Sequence, residues 1–238
     1  MQQLPKEFIG RMVRTVLFIG LVAACCAGVA TFGMLVASKF NLTTSRNQVP
    51  LTTVKIEGEK VLIPENGKTT REAGWTLRNS RGQYILTLDE MEAGSLDTAE
   101  PVIEVEGDLI LQLKKDTVSH LESQGPVIKK GTGTLTIRGE GSLELESADA
   151  EAISSDWNGE ELDADHPSAV RLETGNLTFT GAGSGIVDET VELAGAQGKI
   201  TATSTSGAAV KTAHVKREGS NSDKLELIGA TAVAVPES

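Results

Sequence analysis

The feature that most constrains this chain is a spacing. Pro101-Val102-Ile103, Pro126-Val127-Ile128 and Glu151-Ala152-Ile153 return at intervals of 25 residues. Leu109 to Leu135 is 26 residues and Ile200 to Leu225 is again 25. A period between about 20 and 50 residues is the mark of stacked repeat units. Two motifs alternate. One begins near a glycine and places aliphatics at every second position: Tyr84-Ile85-Leu86-Thr87-Leu88, Leu109-Ile110-Leu111-Gln112-Leu113, Leu135-Thr136-Ile137, Leu177-Thr178-Phe179, Ile200-Thr201-Ala202 and Leu225-Glu226-Leu227. The other is a small residue or proline followed by aliphatics. It recurs after the first three copies as Ser168-Ala169-Val170, Ala208-Ala209-Val210 and Thr231-Ala232-Val233. Alternation of period two predicts strands with one buried face.

A unit of two or three short strands cannot bury its aliphatics alone. Stacked in register, successive units pair at about 4.8 Å and form continuous aliphatic ladders. Gly-Asx pairs such as Gly107-Asp108 and Gly175-Asn176 suit the corners. The expectation is an all-β fold, a right-handed parallel β-helix or β-solenoid over 84–238, with an antiparallel β-sandwich as the alternative. Residues 52–83 read as an N-terminal cap or hairpin region and 39–51 as a linker. Aromatics agree with thin layers: Phe179 is the only phenylalanine after Phe40. The period breaks at 154–167, where second-motif copies at Ala152 and Ala169 lie 17 apart, predicting an inserted loop.

The phrasing of GPVIKKGTGTLTIRGEGSLELES and SAVRLETGNLTFTG is similar to repeats of a family of bacterial surface proteins described as carbohydrate-binding-domain-containing. The resemblance covers roughly 84–180 and rests on solenoid-structural motifs. It implies a cell-surface β-solenoid with carbohydrate as the ligand class, and it assigns no ligand residue.

Between Arg14 and Lys39 runs TVLFIGLVAACCAGVATFGMLVAS, 24 residues without a charge. A helix of that length spans a hydrocarbon core of about 30 Å. Lys6, Arg11 and Arg14 on its N-terminal side place residues 1–14 in the cytoplasm and the remainder outside. The expectation is a transmembrane signal-anchor at 15–38, single-pass in the cell membrane. The alternative is a lipobox, Val22-Ala23-Ala24-Cys25, in which Cys25 is lipidated. The apolar run continuing past Cys25 favours the spanning helix.

Beyond residue 14 the chain carries 19 Lys+Arg against 32 Asp+Glu, a net of −13. Such a surface repels phosphate backbones, which excludes nucleic acid as a partner. It suits cations, basic proteins or uncharged polymers such as envelope glycans. The two cysteines, Cys25 and Cys26, sit inside the apolar run, so no disulfide staples the external domain.

Catalytic signatures are missing. His120, His166 and His214 accompany no nucleophile elbow, and neither an HExxH zinc motif nor a phosphate-binding glycine loop occurs. Glu144 and Glu146 share one side of a strand, a spacing generic to any alternating strand. The segment with most site-like chemistry is the insert. Asp156, Asn158, Glu160, Glu161, Asp163 and Asp165 offer the oxygen donors that Ca²⁺ takes, with Asp156, Asn158, Asp163 and Asp165 as the metal candidates. Trp157 offers a flat face for a sugar ring. The plainer reading is a solvated acidic loop with Trp157 packed on the wall. The functional expectation is a non-catalytic, membrane-anchored binding or scaffolding module without a required cofactor. A polysaccharide lyase or hydrolase, or a structural assembly subunit, are the alternatives.

Overall fold

The computed structural model describes residues 48–160, 167–218, 225–229 and 231–234. The expected anchor at 15–38, Cys25 and the 1–14 segment lie outside them. Among the described residues no helix is long and apolar enough to cross a membrane.

Residues 48–238 form one compact unit. It opens with antiparallel strands. β1 (Thr53–Ile56) and β2 (Glu59–Lys60) make a hairpin, while β3 (Thr69–Glu72), β4 (Trp75–Ser80) and β5 (Gln83–Leu88) make a meander. From β5 onward the chain winds, and each coil visits three sheets in the same order. The first sheet stacks β5, β8 (Leu109–Leu113), β11 (Gly133–Gly139), β14 (Ser168–Thr174), β17 (Thr190–Gln197) and β20 (His214–Glu218). The second stacks β6 (Glu92–Ser95), β9 (Val118–Ser123), β12 (Ser142–Ser147), β15 (Asn176–Gly181), β18 (Ile200–Ser204) and β21 (Leu225–Ile228). The third stacks β7 (Ile103–Glu106), β10 (Ile128–Lys130), β13 (Ile153–Ser155), β16 (Ile186–Val187), β19 (Ala208–Lys211) and β22 (Thr231–Ala234). Every pairing within these stacks is parallel. This is a three-faced β-solenoid of about 5 turns, and the parallel ladders exclude the sandwich.

The core is a set of columns. Ile103, Ile128, Ile153, Ile186 and Val210 stand in register on the third sheet, each buried. Leu121, Leu145, Phe179 and Ala202 do the same on the second. Leu111, Ile137 and Leu172 do so on the first. A second kind of column turns the corner after the second sheet. Ser123 donates to the carbonyls of Thr98 and Glu100, Ser147 to Gly125 and Ser204 to Gly183. Each hydroxyl thereby satisfies a carbonyl that the bend would otherwise orphan.

Two expectations are corrected. The sequence motifs number two where the structure has three faces. Leu177-Thr178-Phe179 does not continue the series of Leu109 and Leu135 but pairs with Leu143-Glu144-Leu145 on the second sheet. Likewise Ser168-Ala169-Val170 does not follow Glu151-Ala152-Ile153; it pairs with Gly133-Thr134-Leu135 on the first sheet. The third-sheet strand of that coil is Ile186-Val187. Period-two alternation reports which side chains point inward but not which sheet holds them, so two faces with the same pattern merge when read in sequence. The linker also ends before Leu51. The Val49 N–H donates to Asp108 Oδ2, its carbonyl accepts from the Asp108 N–H, and Leu51 is buried. Gly107 meets this segment with φ of 104°, and a Cβ there would lie 2.2 Å from the Pro50 carbonyl oxygen.

Corners from the third sheet to the first take two residues after β7, β10, β16 and β19, whereas twelve residues, 156–167, separate β13 from β14. The insertion therefore interrupts one corner and leaves the coil's phase intact.

Column packing gives a direct test. Ile128 is 0% exposed between Ile103 and Ile153, so Ile128→Ala is expected to cost about 2–5 kcal/mol in denaturant unfolding. Leu62, 78% exposed, should tolerate alanine within about 0.5 kcal/mol. Equal costs at the two positions would contradict the column.

Candidate functional site

Parallel stacking also sets outward residues in columns, and on the second sheet these form the candidate face. One column runs Glu92, His120, Glu144, Thr178, Thr201 and Glu226; its neighbour runs Gly94, Glu122, Glu146, Thr180, Thr203 and Ile228. Rungs repeat at about 4.8 Å and alternate residues along a strand at about 6.6 Å, so the face is a regular grid. Its early coils present carboxylates and its middle coils present hydroxyls. His120 lies between two of the acids, with Nε2 3.5 Å from Glu122 and Nδ1 3.6 Å from Glu144. Glu144 is half exposed, at 53%. Carboxylates accept hydrogen bonds and threonine hydroxyls both accept and donate, a donor–acceptor array suited to a polyhydroxylated or cationic chain lying across the coils.

The first sheet's outer face is instead closed on itself by ion pairs. Arg138 Nε donates to Gln112, Arg171 pairs with Glu173 and Glu192, and Lys216 lies 3.5 Å from Glu192. With Arg138 Nη1 4.0 Å from Glu173, these groups satisfy one another and link five successive coils.

Of the insert, residues 156–160 and 167 are described. Trp157 is 5% exposed and its indole N–H donates to the Glu160 carbonyl at 2.7 Å. Its ring is covered, so it offers no open stacking face. Asn158 Oδ1 accepts from the Glu160 N–H at 3.0 Å, closing a turn at Gly159. Asp156 is exposed, 4.0 Å from Lys129 Nζ. Glu160 is exposed. Asp163, Asp165 and His166 lie outside the described residues. Among the described residues no three His, Cys, Asp or Glu side chains gather as a metal site.

A cluster invisible in the sequence occupies the interrupted corner. Lys130 and Asp188 are 1% and 0% exposed, with Nζ 2.9 Å from Oδ2. Ser168 bridges them, accepting from Lys130 Nζ at 2.5 Å and donating to Asp188 Oδ1 at 2.6 Å. The Glu189 N–H donates to Oδ1 at 2.7 Å, and Lys130 also donates to the Gly131 carbonyl. Burial pushes the Asp188 carboxyl above its ordinary range, opposed by the Lys130 charge and these hydrogen bonds. The missed signal was phase: in Ile128-Lys129-Lys130 the second lysine occupies an inward position.

Comparison with family models, with curated proteins and with solved structures gives no match.

Two outcomes follow. Trp75 and Trp157 are the only tryptophans and both are 5% exposed, so acrylamide should quench the native chain several-fold less than the unfolded one. Quenching equal to that of the unfolded chain would show Trp157 open. Lys130→Met strands Asp188 in a dry corner, at an expected cost of about 3–5 kcal/mol at neutral pH. A raised carboxyl pKa means the folded state holds its proton more tightly than the unfolded chain. The cost should therefore shrink as pH falls toward the ordinary carboxylate range. A cost independent of pH would contradict this assignment.

Proposed function

We propose that the chain is a membrane-anchored, extracytoplasmic β-solenoid acting as a non-catalytic binding or scaffolding module, with an envelope carbohydrate polymer as its ligand class. The observation that carries this reading is the outer grid of the second sheet, a long ladder of solvent-facing carboxylates and hydroxyls with a constant repeat. A polymer of regular repeat can engage such a grid at several coils at once, so weak contacts sum. The resemblance of 125–147 and 168–181 to repeats of carbohydrate-binding-domain-containing surface proteins supports the same class. The charge-free run at 15–38, with basic residues before it, supports the anchor and a cytoplasmic N-terminus. Right-handed winding accords with the hand that parallel crossovers take.

Binding is favoured over polysaccharide cleavage by the setting of the acids. Glycoside hydrolysis needs one carboxyl kept protonated by a secluded site and a substrate held against the pair. Glu144 and Glu146 instead are exposed on the outer side of the second sheet, and Glu122 is part-exposed beside His120. Of the insert candidates, the exposed Asp156, Asn158 and Glu160 keep a narrower role in this proposal, as a polar rim after β13 of the third sheet.

Full-length chain in lipid nanodiscs, applied to a panel of envelope glycans, tests the reading. At least one acidic-face-dependent ligand is expected, and Thr178→Lys with Thr201→Lys should weaken it about tenfold or more without changing unfolding. Background signal across the panel, or undiminished binding by the double variant, would contradict it. Release of reducing ends from any glycan in the panel would instead favour the enzyme alternative.

A further inference from the structure

The Lys130–Ser168–Asp188 corner has an arrangement that a simple ion pair does not require. The two oxygens of Asp188 are treated differently. Oδ1 receives the Ser168 hydroxyl at 2.6 Å and the Glu189 backbone N–H at 2.7 Å. Oδ2 is buried, accepts no hydrogen bond among the described residues, and lies 2.9 Å from Lys130 Nζ. The ammonium thus sits at ion-pair distance from Oδ2 while donating to Ser168 Oγ and to the Gly131 carbonyl. Two donors on one oxygen and an amine beside the other is the layout of an acyl-transfer site: an oxyanion hole facing a nucleophile.

We propose that Lys130 and Asp188 are a self-modification site, at which the folded corner condenses the two side chains into an intramolecular isopeptide bond. The step balances within the pair. Nζ attacks Cγ of Asp188 and forms the C–N bond; charge developing on Oδ1 is held by Ser168 and by the Glu189 N–H. The Cγ–Oδ2 bond breaks and Oδ2 departs as water, carrying two of the three protons of the lysine ammonium. The third proton remains on the amide nitrogen. Nζ, 2.9 Å from Oδ2, passes its protons to that departing oxygen directly, while Ser168 Oγ, accepting from Nζ and donating to Oδ1, orients the amine against the carboxyl. No oxidant, metal or cofactor is needed. Exclusion of water favours the reaction twice. Burial favours the neutral form of Asp188, the acid that reacts, and a dry site opposes hydrolysis of the product.

The site's position gives the bond a purpose. Lys130 ends β10 and Asp188 follows β16, so the link ties together coils on either side of the corner that residues 156–167 interrupt. Two coils that lack a short backbone corner between them would be joined covalently, closing a loop over residues 131–187. Such a cross-link restrains the unfolded chain as a disulfide does, in a domain that has no cysteine beyond Cys26.

Peptide mass spectrometry on the full-length chain tests this. The expected result is a branched peptide joining the segment with Lys130 to the segment with Asp188, one water lighter than the two together. Lys130→Arg, which keeps the charge but removes the nucleophile, should yield two separate peptides at full mass. Ser168→Ala should accumulate unlinked chain. Full-mass, separate peptides from the wild-type chain would overturn the proposal. So would loss of one water with the two segments still unjoined, which would mean dehydration of Asp188 onto its own backbone. Linkage undiminished in Ser168→Ala would overturn the positioning role assigned to that hydroxyl.

Discussion

Everything in this molecule depends on like residues stacking on like residues in successive parallel coils. Parallel pairing without slip puts Ile103 under Ile128 and Ile128 under Ile153, so each inward aliphatic is covered above and below as well as across the interior. One coil alone has too little apolar area to offset the conformational entropy of ordering it. The column, not the coil, is the folding unit. The same register that builds the core from isoleucine, leucine and valine builds the outer grid from glutamate, histidine and threonine. Core and candidate binding face are two consequences of one pairing rule.

A column can extend only if its ends are closed. At the N-terminal end β1 lies antiparallel on β7, and β4 lies antiparallel on β5. Antiparallel strands use up the exposed edge groups that would otherwise recruit another chain. Residues 48–51 dock against the first corner through Asp108, and β6 stays the edge strand of the second sheet. The interrupted corner after β13 is a different problem. Beside that corner the fold buries a lysine, a serine and an aspartate linked to one another by an ion pair and hydrogen bonds, with Asp188 Oδ2 facing the Lys130 charge without a hydrogen bond among the described residues. A dry corner makes that cluster costly to leave incomplete and gives it chemistry that the open faces lack.

Much of this architecture was legible in the sequence because the residues of one column are alike and evenly spaced. The 25-residue return of Ile103, Ile128 and Ile153 is the first three rungs of the third sheet's parallel stack. What the spacing could not separate was the first face from the second, since Leu135-Thr136-Ile137 and Leu177-Thr178-Phe179 show the same alternation while belonging to different sheets. The apparent 17-residue irregularity arose from comparing Ala152 on one sheet with Ala169 on another. The corner cluster was hidden for a further reason. Lys130, Ser168 and Asp188 are distant in sequence and individually ordinary, and only the coil brings them together. Trp157 shows the converse: a residue conspicuous by type, which the structure covers instead of displaying.

The register of the coils can be measured directly by cysteine pairing in a background with Cys25 and Cys26 replaced by serine. Thr178 and Thr201 are partners on adjacent strands of the second sheet, so Thr178→Cys with Thr201→Cys should form an intramolecular disulfide readily under mild oxidation. Thr178→Cys with Thr136→Cys, outward positions on different sheets, should not. Efficient linkage of 136 to 178 with none between 178 and 201 would mean that the two alternating motifs belong to one face, and the three-faced coil would be wrong.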